Sequence, residues 1–172
     1  MRFIGTAYRA HDPRWSFSPL SGAGAATHGG RFNPKGVPAL HLTLDILSAI
    51  REAQQGLPRK IDPLVLCRYE VDCENVVDLT NPGVLLDLLI SPADLAGGWL
   101  LSAQAGETPA SWDIAKRLIA SGVTGVIVPG FAPGVTSVDR NLVLWRWGPD
   151  LPCQVSVHDP SNRLPKNALS WS

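Results

Sequence analysis

Glycine and proline set the scale of every element this chain can build. Sixteen glycines and fifteen prolines are spread along its 172 residues, so few stretches run far without a residue that breaks a helix or weakens a strand. Only short elements fit between them. Strands are predicted at Phe3 to Arg9, Pro38 to Thr43, Pro63 to Val71, Val76 to Leu79, Gly125 to Val128, Asn141 to Trp147 and Gln154 to Val157, from runs of Val, Leu and Ile. A helix is expected from about Leu44 to Gln55, capped by Thr43, with Ile46, Ala49, Ile50 and Ala53 on one face. A second helix spans Ser111 to Ser121, with Ser111 as N-cap, Ile114, Ala115, Leu118 and Ile119 turned inward, and Gly122 as its stop. The stretches Asn81 to Ile90 and Ser91 to Ser102 read as short helical or irregular pieces. Residues 11 to 38 read as one long ordered loop, a feature that in compact domains usually serves function. The prediction is one α+β domain over residues 1–172, with a strand-rich core at about 7–158 and an irregular tail from Asp159.

The charge balance excludes one class of function. Fifteen Lys and Arg offset fifteen Asp and Glu, whereas non-specific nucleic-acid binding needs a positive surplus facing phosphates. Cys67, Cys73 and Cys153, odd in number and with no C-x-x-C pair, give no disulfide framework and read as buried or indifferent thiols. No metal motif is present in the sequence, so no metal is expected. No apolar run reaches the roughly 18 residues of a membrane helix. The N-terminus MRFIGTAYRAHDPRW lacks the apolar segment of a signal peptide, so a cytoplasmic location is expected, with no membrane contact.

Two blocks stand out: GGRFNPKGVPALHLTLDILSAIREA from Gly29 to Ala53, and GVIVPGFAPGVTSVDRNLVLW from Gly125 to Trp145. Together with Tyr8-Arg9 they resemble the RES domain, a family named for its arginine, glutamate and serine, over about residues 7 to 147. Arg31 aligns with the arginine and Glu52 with the glutamate. Two positions depart from the family. His41 stands where a tyrosine is usual, and Gly130, after Pro129, stands where the serine is expected; Ser137 lies seven residues further on.

The resemblance implies an ADP-ribosyltransferase-like fold and NAD⁺ as substrate. It also implies the role of toxin in a type II toxin–antitoxin pair, with a helix-turn-helix antitoxin as partner. The residues fit the chemistry. Breaking the nicotinamide–ribose bond expels a neutral ring and leaves an oxocarbenium-like ribose, which a carboxylate stabilises. Glu52 can supply it from the helix flank, about 110° from the centre of the apolar face. Arginine forks onto a diphosphate better than any other side chain, and Arg31 sits in a Gly-rich loop where backbone N–H groups also approach anions. His41 offers a flat ring to nicotinamide, Asn141 a partner for an amide or ribose hydroxyl, and Arg9 and Gly130 complete the expected binding set. Each residue also has a plainer reading: Arg31 and Arg9 as structural cations, Glu52 as a solvated helix carboxylate, His41 as a strand-to-helix brace, Asn141 as a turn residue. The six tryptophans read mostly as core.

Three function classes follow. The first is an NAD⁺-consuming toxin that passes ADP-ribose to water, phosphate or a target protein. The second is a catalytically weakened RES-fold module that binds a protein partner. The third, a hydrolase of other chemistry, has no G-x-S-x-G or metal motif to support it.

Overall fold

The structure is a computed structural model that describes residues 1–54, 63–134, 136 and 138–171. Seven strands form one mixed sheet in the order β4-β5-β6-β2-β1-β3-β7. They are β1 (Phe3–His11), β2 (Leu40–Thr43), β3 (Val65–Cys73), β4 (Val76–Asp78), β5 (Gly125–Pro129), β6 (Arg140–Leu144) and β7 (Cys153–Val157). The long pair β1–β3 runs antiparallel from Phe3 opposite Cys73 to His11 opposite Val65. β4 and β5 are parallel, with Val76 opposite Gly125. The predicted α+β architecture with a strand-rich core is what the chain adopts.

Alternation along the central strands divides the apolar side chains into two cores. Leu40, Leu42, Leu142 and Leu144 join Tyr69, Val71 and Val155 on one side. Val126, Val128 and Val143 join Phe32, Leu85, Leu95, Ile114 and Leu118 on the other. Six helices accompany the sheet among the described residues: α1 (Ala23–His28), α2 (Ile46–Gln54), α3 (Pro82–Asp87), α4 (Pro92–Ala96), α5 (Trp99–Gln104) and α6 (Ala110–Ala120). Prolines at the first turns of α3 and α4 cost no backbone bond there. Asn81 caps α3, and Ser91 with Asp94 forms a capping box on α4.

Several sequence expectations are corrected. The expected loop at 11–38 contains a 3-10 turn at Pro13–Trp15 and the short helix α1. The strand predicted to reach Trp147 stops at Leu144. Asp45, not Thr43, caps α2: its carboxylate accepts from the Ser48 N–H at 3.0 Å, while the Thr43 hydroxyl donates to the Asp45 carbonyl. The side of α2 turned inward carries Ser48 and Ala49 with half-buried Glu52, whereas Ile46 and Ala53 are exposed. Ser111 lies inside the first turn of α6, after Pro109, and its buried hydroxyl has no hydrogen-bond partner among the described residues. Cys73 and Cys153 face each other across β3 and β7 and form a disulfide, leaving Cys67 as the free, buried thiol. The predicted helix end at Gln55, and Ser137, lie outside the described residues.

Candidate functional site

The site forms where β2 and β6 run side by side. His41 lies opposite Val143 and Thr43 opposite Asn141. Their neighbours Leu40, Leu42, Leu142 and Leu144 fill the core on the other face, so the period of two sends His41 and Asn141 to the same side. A cleft of about 660 Å³ opens there between β1, β2, β6, α2 and the loops around Arg31 and Phe131. That volume suits a small-molecule ligand.

The loop carrying Arg31 is braced from several directions. Gly30 and Asn33 exchange backbone hydrogen bonds. The Asn33 side chain, fully buried, donates to the carbonyls of Ala25 and Val37 at 2.9 and 3.0 Å. Three indole N–H groups donate to carbonyls of the segment 20–32: Trp112 to Gly30, Trp145 to Phe32 and Trp147 to Leu20, at 2.8, 2.8 and 2.9 Å. An indole N–H turned away from water needs such an acceptor, and here the three half-buried rings fasten the segment around α1 to α6 and to the chain following β6. Gly29 adopts a φ of 75°, and a Cβ on Gly30 would lie 2.5 Å from Asn33 Oδ1 and 2.9 Å from His41 Nε2. Both positions therefore require glycine.

The charged groups are arranged unevenly. Arg31 donates to the carbonyls of Leu95 and Gly97 at 3.2 and 2.6 Å, and its guanidinium lies 4.2 Å from the centre of the Phe131 ring. Arg9 donates to the Ser21 carbonyl. Neither arginine has a carboxylate within salt-bridge distance among the described residues. Burial pushes both guanidinium groups below their ordinary value, with the negative charge of Glu52 opposing this at Arg31; both remain cations at neutral pH. Glu52 reaches the cleft from α2 and accepts from Asn141 Nδ2 at 2.7 Å, while Asn141 Oδ1 is buried with no partner among the described residues. His41 Nε2 lies 2.8 Å from Asn33 Oδ1, and burial, aided by Arg9, pushes the imidazole down to about 4.

A model of the RES domain matches residues 6–167. The chain belongs to the RES domain family. No curated protein matches it. Among solved structures, a chain of the crystal structure of the M. tuberculosis MbcT–MbcA toxin–antitoxin complex is similar, with 20% identity and a TM-score of 0.61. The likeness covers 92% of this chain and 84% of that one, and at this identity it establishes a shared fold.

Within this RES domain the structure brings Arg9, Arg31, His41, Glu52 and Asn141 to one cleft. Gly130 is not among the residues lining it; its N–H donates to the Asp139 carbonyl and closes the turn between β5 and β6. Sequence reasoning passed over Asn33, Tyr8, Trp99 and Phe131. Tyr8, Trp99 and Phe131 line the cleft, and Asn33 holds the loop and His41. Asn33 lay inside the Gly29–Ala53 block, two residues after Arg31, but nothing local distinguishes a buried asparagine from a turn asparagine.

Proposed function

We propose that this RES domain is the toxin of a toxin–antitoxin pair and that its cleft binds NAD⁺ and breaks the nicotinamide–ribose bond. The observation that carries the reading is the pairing of an oriented carboxylate with two guanidinium groups that lack acidic partners, all on one cleft. The arginines suit a diphosphate, which supplies the counter-charge they lack. The amide of Asn141 keeps Glu52 aimed from the opposite wall, and its vacant Oδ1 suits a ligand N–H or O–H, since a buried acceptor left unpaired is costly.

In the reaction, the C–N bond between ribose and nicotinamide breaks and its electron pair leaves with the ring, which becomes neutral. Positive charge develops on the ribose, and the Glu52 carboxylate stabilises it. The oxygen or nitrogen of an acceptor then bonds to the ribose carbon, and its proton passes to solvent. The acceptor is water, phosphate or a side chain of a target protein. The toxin–antitoxin assembly of the similar solved structure supports an antitoxin partner, for which we propose a helix-turn-helix protein, and NAD⁺ consumption suits a cytoplasmic location. The test is to incubate the purified protein with NAD⁺ and follow free nicotinamide. Release that disappears in Glu52→Gln supports the reading; no release from the natural protein at any acceptor tried would sink it and favour a binding module.

A further inference from the structure

The hydrogen bonds around Asn33 fix more than a loop. Its Nδ2 is committed twice, to the carbonyls of Ala25 and Val37. A primary amide has two N–H donors, so both are used, and the atom facing His41 is Oδ1, which accepts only. The proton in the 2.8 Å contact therefore sits on His41 Nε2. A neutral imidazole protonated on Nε2 has a bare Nδ1. No group among the described residues bonds that nitrogen, and His41 lines the cleft. Glycine at position 30 leaves room for this contact, since a Cβ there would meet both Asn33 Oδ1 and His41 Nε2.

We propose that Asn33 is a positioning residue that holds the neutral His41 ring as its Nε2–H tautomer and thereby presents Nδ1 to the bound ligand as a hydrogen-bond acceptor. Its ligand half rests on the proposed NAD⁺ site. With Asn141 Oδ1, it gives the cleft two acceptors that no described residue fills. Together they select a ligand that donates hydrogen bonds at this end, as a carboxamide or a ribosyl hydroxyl does. The surroundings keep the ring neutral from each side. Arg9 on β1 is a cation that disfavours a charged imidazole; Arg31 on the loop and Glu52 on α2 line the same cleft, and β6 places the apolar Val143 opposite. Burial is the larger cause, and with Arg9 it holds the ring down to about 4.

The tautomer can be read without any ligand. Long-range ¹⁵N NMR of the natural protein, with His41 assigned by comparison with His41→Gln, is expected to show the Nε2–H form, uncharged down to about pH 5. An Nδ1–H form, or titration near the ordinary value of 6.5, overturns the proposal. The role toward ligand is tested with Asn33→Asp, which keeps an acceptor against Nε2 but makes it a carboxylate. An adjacent negative charge favours the imidazolium by about one pH unit or more. The acid limb of NAD⁺ affinity is therefore expected to lie at least about one pH unit higher in the variant than in the natural protein, on top of any pH-independent loss from the two bonds to Ala25 and Val37 that aspartate cannot make. A uniform loss of affinity at every pH, with the acid limb unmoved, would make Asn33 a loop brace alone. If Asn33→Asp does not fold, the NMR result on the natural protein decides. If the natural protein does not bind NAD⁺, the proposed substrate fails while the tautomer is still confirmed or refuted by NMR.

Discussion

The side-chain amide of Asn141 donates to Oε1 of Glu52 at 2.7 Å, tying the start of β6 to the last turn of α2 across 89 residues of sequence. A second link supports it. Ser48, one turn earlier on α2, donates to the buried carboxylate of Asp139 at 2.6 Å, and Arg51 lies 3.6 Å from the same carboxylate. Both ends of the helix–strand contact are thus held, and the Glu52 carboxylate enters the cleft at a fixed place. Fixed charge near a developing cation needs little reorganisation when the bond breaks.

Glu52→Gln isolates the charge from the geometry. The glutamine Oε1 still accepts from Asn141, so the helix–strand contact survives. Nicotinamide release is expected to fall on the order of 10²–10³-fold, with the unfolding temperature nearly unchanged. A folded variant retaining more than about a tenth of the natural rate would remove Glu52 from the reaction.

Arg31→Ala is expected to weaken NAD⁺ binding by a factor on the order of ten or more, and Arg31→Lys to restore only part of it. The guanidinium makes two carbonyl contacts and stacks on Phe131 while keeping further N–H groups for a ligand. Lysine brings a point charge without the planar fork. Calorimetric titration with NAD⁺ measures both; full recovery with lysine would assign Arg31 a purely electrostatic role.

What the sequence revealed and what it hid divide along a physical line. Strands at Gly125–Val128 and Gln154–Val157 were legible because apolar residues recur in short runs between turn formers. The cleft residues Arg31 and Glu52 were legible through the order of residue types around them. The inward side of α2 was misread because periodicity seeks apolar residues, and here Ser48 and Glu52 occupy inward positions opposite Asp139, just before β6, and Asn141 on it. The braces by Trp112, Trp145 and Trp147 were invisible for the same reason: an indole reads as core, and its N–H partner is set only by the fold. The disulfide joins residues 80 apart in sequence, a pairing that spacing alone does not give.

Stability is expected to fall as pH drops from about 6.5 to about 4. Burial holds both His11 and His41 at about 4, against 6.5 for a free imidazole. Within that window the unfolded chain takes up protons that the folded chain refuses, so acid favours unfolding. Each ring contributes at most roughly 1.4 kcal/mol per pH unit. His11 lies 2.6 Å from the Tyr69 hydroxyl, which donates onward to the Pro19 carbonyl. The His11→Gln variant keeps an N–H for that hydroxyl and removes one titrating group, so its stability should depend about half as steeply on pH. Urea unfolding at pH 5, 6 and 7 measures the slope, and a flat profile in the natural protein would refute the burial argument.

The disulfide should matter for stability and not for turnover. Cys73 and Cys153 close a loop with a sequence separation of 80 residues, and a cross-link of that kind stabilises by limiting the unfolded chain, typically by about 2–4 kcal/mol. It joins β3 to the edge strand β7, whereas the strand residues lining the cleft come from β1, β2, β5 and β6. The double variant Cys73→Ser with Cys153→Ser is therefore expected to lose about that much in equilibrium unfolding while its folded fraction releases nicotinamide at the natural rate. Reducing compartments keep thiols apart, so protein made in the cytoplasm and alkylated before exposure to air should carry label on all three cysteines under denaturing conditions, and behave in unfolding like the double variant. Oxidised protein should carry label on Cys67 alone. Equal stability of the reduced and oxidised forms would show that pairing of β7 with β3 needs no cross-link, since the backbone ladder from Tyr69–Val157 to Cys73–Cys153 would then hold the edge unaided.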